Sequence, residues 1–405
     1  MNYVVRNISQ LVTCSGFAAK HGKEMSDLGI IENAAVVVTK GIITYAGSDT
    51  NDLPVDRDTE YETIDAAEKA VLPGFIDSHT HFVFGGYREE EFSQRLRGDD
   101  YLSILQHGGG IYNSVKATQK ASLEELFAVS STRLDKMLAM GVTTVEGKSG
   151  YGLDKDTEIK QLRVMQRLKD EHRITIVPTY LGAHAVPKGF TEKSYIDFML
   201  EEVMPIIHDE NLAECCDIFC ERGVFSIEES KRFLLESKKM GFQLKLHADE
   251  IVNTGGAELA VELGALSADH LLQISDKGIK SLAKSNTVAT LLPCTAFSLR
   301  EDYARGRELI DAGCAVALAS DFNPGSCFTC SIPLTIALAC IYMKLSTEEV
   351  VTALTINAAA ALGKAGSTGS IDVGKKGDLI ILEYPNYKFL TYHLGMNCVE
   401  RVIQA

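Results

Sequence analysis

Apolar and polar positions alternate differently along three parts of the chain. Near the start, "AAVVVTKGIITYAGS" holds two β-type runs broken at Lys40-Gly41, and "YETIDAAEKAVLPG" adds a third. Toward the end, "GSIDVGKKGDLIILE" reads the same way, with Gly374 and Gly377 marking turns. Residues 1–70 and 358–405 are therefore expected to meet in one small composite β-sandwich domain. Between them, short β-branched runs alternate with longer stretches of helical period, the mark of βα units and a parallel sheet. The helical stretches include "SLEELFAVSSTRLDKMLAMG", "DKDTEIKQLRVMQRLKDE" and "SIEESKRFLLESKKMG". The strand candidates are "VLPGFID", "VTTVEG", "ITIVPTYLG", "CDIFCE", "QLKLHA", "SADHL", "TVATLLP" and "AVALAS". Eight parallel strands imply an α/β chain whose residues 71–357 close into a (β/α)8 TIM-like barrel.

Length and charge fit this division. A barrel of about 250 residues plus an accessory domain accounts for 405 residues. Apolar residues at 45% and charged residues at 23% describe an ordinary globular protein, and the net charge of −15 argues against a nucleic-acid partner. The N-terminus lacks a basic start, apolar core and small-residue cleavage site, and no apolar run reaches membrane-spanning length. The expectation is a cytoplasmic protein without a membrane partner, and its ten cysteines, Cys327-x-x-Cys330 included, are read as reduced thiols.

Chemistry in such a barrel gathers at the carboxyl ends of the strands, so the polar residues there matter most. Strand one runs into His79 and His81, whose i, i+2 spacing points both rings the same way. Strand five ends in "HADE", giving His247 and, three residues on, Glu250; strand six carries His270; strand eight ends in "SD", giving Asp321. Four strand ends bearing imidazole or carboxylate make a metal site the best reading. The end of strand four, "FCERG", carries Glu221 and Arg222 but no lysine to bridge two ions, so one ion per chain is expected, with Lys148 the alternative bridging candidate. "HGGGI" at His107–Ile111 is read as a flexible loop, because no G-x-S-x-G nucleophile accompanies it. His21, His172, His208 and His393 lie away from strand ends and are read as surface or structural residues.

This pattern resembles the amidohydrolase superfamily, and the resemblance covers nearly the whole chain. "SHTHFVFGGYREEEF", "GGGI", "EGKSGYGL", "PTYLGAHAVP", "HADE" and "SDFNPGS" are together similar to members that hydrolyse the ring amide of 4-imidazolone-5-propanoate to N-formimino-L-glutamate. The resemblance implies that His79, His81, His247 and Asp321 hold one zinc or iron ion, manganese being compatible with the same ligands. It implies substrate contacts from Arg88, Tyr151, His184, Glu250 and Ser326, with His184 also counted among the catalytic residues beside Glu250, His270 and Asp321, and product contacts from Asn323 and Gly325. In the chemistry expected here, Asp321 accepts the proton of the attacking water, His270 stays off the metal and steadies the nucleophile or oxyanion, and Glu250 protonates the leaving nitrogen. Arg88 would grip the substrate's carboxylate tail, unless it is taken up by a rim salt bridge to Glu89–Glu91. For His184 and Tyr151 the alternative is plain core packing. Two other functions compete: a metal-dependent deaminase of a nucleobase-like ring, and a barrel that has lost its chemistry. A homodimer is expected.

Overall fold

The computed structural model describes residues 1–98 and 110–405. Strands β1 (Tyr3–Val12), β2 (Ile30–Thr39), β3 (Ile42–Ser48) and β4 (Glu62–Pro73) come from the N-terminal stretch. The central stretch supplies β5 (Phe75–Asp77), β6 (Val142–Lys148), β7 (Thr175–Ala183), β8 (Cys215–Cys220), β9 (Gln243–Ala248), β10 (Ser267–His270), β11 (Val288–Leu291) and β12 (Val316–Leu318). The C-terminal stretch adds β13 (Leu379–Leu382) and β14 (Val399–Ile403).

Both ends of the chain share one six-stranded sheet in the order β14-β13-β4-β1-β2-β3. The turn between β2 and β3 falls at Lys40-Gly41, whose φ angles of 52° and 80° are those of a tight hairpin turn with both central residues left-handed. Tyr3, Val5, Ile8, Leu11, Val36, Val38, Ile64 and Leu379 are buried together on its inner face.

The other eight strands form a second sheet in strict chain order, β5 to β12, every pair parallel. The ring closes just past the ends of its first and last strands. His81 N donates to Phe322 O at 2.8 Å and Asp321 N to His79 O at 3.0 Å. The buried Asp77 carboxylate adds two bonds across the same seam, from Ser320 N at 2.9 Å and Ser320 Oγ at 2.6 Å. The helices on the outside begin where their caps dictate: Ser122 caps Leu123–Ala139 with Glu125 in reciprocal contact, Asp154 caps Lys155–Glu171, and Ser226 caps Ile227–Lys239.

One element divides differently from its sequence pattern. "VLPGFID" reads as a single strand, but Val71–Pro73 pair with β13 in the small sheet and only Phe75–Asp77 enter the barrel. Gly74 is the joint. Its N–H bonds Asp378 O at 3.0 Å, and a Cβ there would lie 2.2 Å from Thr143 Oγ1. Gly74→Ala is expected to destabilise the protein by about 1–3 kcal/mol, the cost of overpacking. Thr143→Ala in the same chain should restore part of it, because the remaining Thr143 Cβ contact is 2.8 Å. Thermal or urea unfolding reads the difference.

Candidate metal centre

The closed seam sets the first half of the site. Because Asp321 N bonds His79 O, the residues after β5 and β12 lie side by side, and Asp321 Oδ1 sits 3.6 Å from both His79 Nε2 and His81 Nε2. From β9 and β10, His247 and His270 complete the group. The His79 and His247 rings are 4.5 Å apart, and the His247 and His270 rings 5.0 Å. Donor atoms of His79, His247 and His270 all lie within 4.8 Å of one another, as do those of His79, His81 and Asp321. The strand ends that carry these groups are unusual in their backbone. Asp249, His270, Leu271 and Asp321 all have left-handed φ angles between 51° and 77°, a strain that clusters at functional sites.

The donors are suited to a cation. His79 Nε2, His81 Nδ1 and both nitrogens of His247 and His270 are buried without a hydrogen-bond partner, a costly condition that a bound ion relieves. Burial holds His79, His81 and His247 well below the usual histidine range, so their lone pairs are available. Burial also pushes Asp321 up to about 7 despite the hydrogen bonds from Thr295 and Asn323. Imidazoles with one carboxylate form a ligand chemistry accepted by zinc, iron and manganese.

Beneath the histidines lies a group of residues of which the sequence reading singled out only Lys148. His79 Nδ1 is 2.6 Å from Asp269 Oδ2, and His247 Nδ1 is 2.9 Å from Asp217 Oδ2, though not in line for a good hydrogen bond. Lys148 Nζ bonds Asp217 at 2.6 Å and Glu146 at 3.0 Å; Lys245 Nζ reaches Glu146 at 3.1 Å. All five side chains are fully buried. The signal was present: "EGK", "CDIFC", "KLH" and "ADH" put charges at alternate, inward-facing positions of barrel strands. Lys148 is thereby accounted for. Burial disfavours its charge, but Asp217 and Glu146 outweigh that and hold the ammonium well above its ordinary range, which opposes conversion to a bridging carbamate. Glu221 turns away from the histidines, accepting Ile251 N at 2.8 Å and Val252 N at 3.3 Å to fix the segment after Glu250.

The remaining candidate residues surround the mouth. His184 stacks on His81 at 5.1 Å between ring centres, and Tyr151 meets His184 edge-on at 5.2 Å. His184 Nδ1 is anchored at 3.0 Å to Gly150 O, and burial lowers the ring to about 4. The Tyr151 loop is organised by the buried carboxylate of Glu158, which accepts Gly150 N, Gly152 N and Leu153 N at 2.7 to 2.9 Å. Glu250 Oε1 lies 3.5 Å from His270 Nδ1, and burial, with Asp321 and Glu221 adding repulsion, raises it to about 8. A carboxyl in that state can give a proton at neutral pH.

Arg88 is engaged by its own chain. Its Nε and Nη2 contact Glu91 Oε2 at 2.8 and 2.7 Å, the rim pairing weighed from "REEE", while Nη1 lies against Gly325. A Cβ on Gly325 would come within 2.2 Å of Nη1. Arg95, not singled out from sequence, donates to Gly325 O at 2.9 Å and ties the helix Glu89–Arg97 to the same loop. Asn323 holds that loop from inside. Its amide donates to Asp321 O and Ser326 Oγ and accepts Gly325 N and Ser326 N, each at 2.7 or 2.8 Å. A cavity of about 570 Å³, walled by Phe92, Phe297 and Phe328, borders Arg88 and Gly325 without touching the histidines. Cys327 and Cys330 are free thiols, and His107–Gly109 of "HGGGI" lie outside the described residues. His172, just before β7, sits near Asp135 at 3.2 Å, and His208 is exposed.

Comparison with known proteins agrees with this geometry. Imidazolonepropionase of Clostridium tetani is 58% identical over 405 residues, covering 100% of this chain and 97% of that protein. Imidazolonepropionase of Parabacteroides distasonis is 59% identical over 403 residues, covering 99% and 97%. Among solved structures, a zinc-bound adenosine deaminase from Xanthomonas campestris shares the fold with a TM-score of 0.74 at 17% identity, covering 100% of this chain and 91% of that one. Guanine deaminase of E. coli does so at 0.74 and 14%, covering 100% and 97%. The sequence signature of the amidohydrolase family matches residues 70–403, and with relatives this similar along its whole length the chain belongs to that family.

Proposed function

We propose that this protein hydrolyses the ring C–N bond of 4-imidazolone-5-propanoate to give N-formimino-L-glutamate, a step of histidine degradation. The observation that carries the reading is the full-length identity of 58–59% to proteins named imidazolonepropionase, joined to an intact donor cluster. In this reading His79, His81, His247 and Asp321 hold one zinc- or iron-class ion, manganese being compatible. Such an ion supplies Lewis acidity and brings the pKa of a bound water toward about 7.

The chain's own residues do the rest. Asp321 Oδ accepts the proton of the water as it attacks the ring carbonyl. His270, one strand away, orients the nucleophile and steadies the developing oxyanion. Glu250, raised to about 8 by burial, arrives protonated and delivers its proton to the leaving ring nitrogen. Tyr151 and His184 form one wall for the ring, and Ser326, Gly325 and Asn323 line the side where the product's formimino-glutamate portion would sit. Arg88 receives the carboxylate tail. Glu91 fixes two of its donors, which orients the guanidinium without consuming the edge that faces Gly325. The same reading includes a cytoplasmic homodimer acting on a small molecule, with no nucleic acid and no membrane; among the described residues no helix is long and apolar enough to cross a membrane.

Elemental analysis is expected to find one transition-metal ion per chain, and His247→Ala to lose it; two ions per chain would overturn the single-ion assignment. Glu250→Gln should retain the metal and lower kcat by roughly 10²-fold or more. Metal loss in that variant would instead make Glu250 a ligand. Arg88→Met separates the proposed reaction from deamination of an uncharged ring. It should keep the metal but weaken binding of imidazolone propionate by roughly 2–5 kcal/mol, and lose the preference for that acid over its neutral amide analogue. Release of ammonia from guanine or adenosine, with no turnover of imidazolone propionate, would sink the assignment.

A further inference from the structure

The five buried charges beneath the histidines are not needed to fill a barrel, which ordinarily packs its interior with branched apolar side chains. Two lysines fully inside a barrel are costly to desolvate, and removing either would leave buried carboxylates uncompensated. Their contacts are asymmetric in an informative way. Lys148 Nζ reaches Asp217 at 2.6 Å, Glu146 at 3.0 Å and Asp269 at 3.7 Å. Lys245 Nζ reaches Glu146 at 3.1 Å and Asp269 at 3.7 Å, and donates to Ser78 O at 3.0 Å, the residue just before His79. Glu146 joins the two ammonium groups and takes a further bond from Thr179 Oγ1 at 2.5 Å. Asp269 and Asp217 are the same two carboxylates that sit against Nδ1 of His79 and His247.

We infer that Lys148 and Lys245 are positioning residues for the metal centre, acting through Asp217 and Asp269 on His247 and His79. This rests on the reading of those histidines as metal ligands. Asp269 accepts a hydrogen bond from His79 Nδ1, which leaves Nε2 as the free lone pair and fixes the plane of that ring, and Asp217, 2.9 Å from His247 Nδ1, packs against the same edge of His247. The lysines hold the carboxylates in place, and Lys245 also clamps the backbone that carries His79.

The test measures metal affinity by chelator competition, with zinc and with cobalt(II), whose visible bands report ligand geometry. Lys148→Met is expected to weaken metal binding by about 10- to 100-fold, the usual scale for losing a group that supports a ligand, and to shift the cobalt bands. Lys245→Met should act in the same direction but less, since it touches neither histidine's partner closer than 3.7 Å. A folded Lys148→Met with wild-type affinity and an unchanged cobalt spectrum, whatever its Tm, would reduce the lysine to core filling and overturn the inference. If Lys148→Met does not fold, Asp217→Asn, which preserves shape, is read instead: weaker affinity with shifted bands supports the inference, and an unchanged site refutes it. Wild-type protein that binds zinc with ordinary affinity but fails to turn over imidazolone propionate would count against the proposed function and leave the positioning role standing.

Discussion

Closure of the parallel ring is the constraint on which the site depends. Eight strands in chain order return the last beside the first, and the hydrogen bonds that seal that seam, Asp321 N to His79 O and His81 N to Phe322 O, involve residues of the donor cluster itself. The geometry of the donors is therefore a by-product of closing the barrel. Asp77 reinforces the seam from one layer below, with both its oxygens on Ser320. A lesion that opened this seam would separate His79 and His81 from Asp321.

A layered polar interior follows from the same arrangement. Alternate residues of β6 and β9 face inward, so Glu146 and Lys148, or Lys245 and His247, stack along the barrel axis. Burial then acts on the layers in opposite senses. It keeps the upper imidazoles neutral and raises Asp321 and Glu250, while in the lower layer ion pairing prevails over burial at Lys148. One low-dielectric interior thus carries uncharged donors above and paired charges below.

Much of this was legible in the chain. Short β-branched runs alternating with stretches of helical period located every barrel strand, because both patterns are local signals. The cluster of histidines and Asp321 was legible because imidazoles and carboxylates at strand ends stand out against an apolar background. What stayed hidden depends on contacts between distant strands. Nothing near Lys148 announces that Asp217 lies 2.6 Å away, and nothing in "REEEF" decides between Glu91 and a ligand as the partner of Arg88. The split of "VLPGFID" at Gly74 was hidden for the same reason: both halves are extended, and only their partners, β13 and β6, assign them to different sheets.

The pairing of β4 with β13 also bears on how the chain is made. Val71–Pro73 leave the ribosome about 300 residues before their partners Leu379–Ile381, an interval of about 15–60 s at ordinary translation rates. Throughout it, one edge of β4 has no strand to pair with, although β1 already covers the other. Such an edge invites pairing with another chain. The nascent protein therefore emerges with an open flank on β4 that β13 closes, so a product lacking β13 leaves that edge of β4 bare.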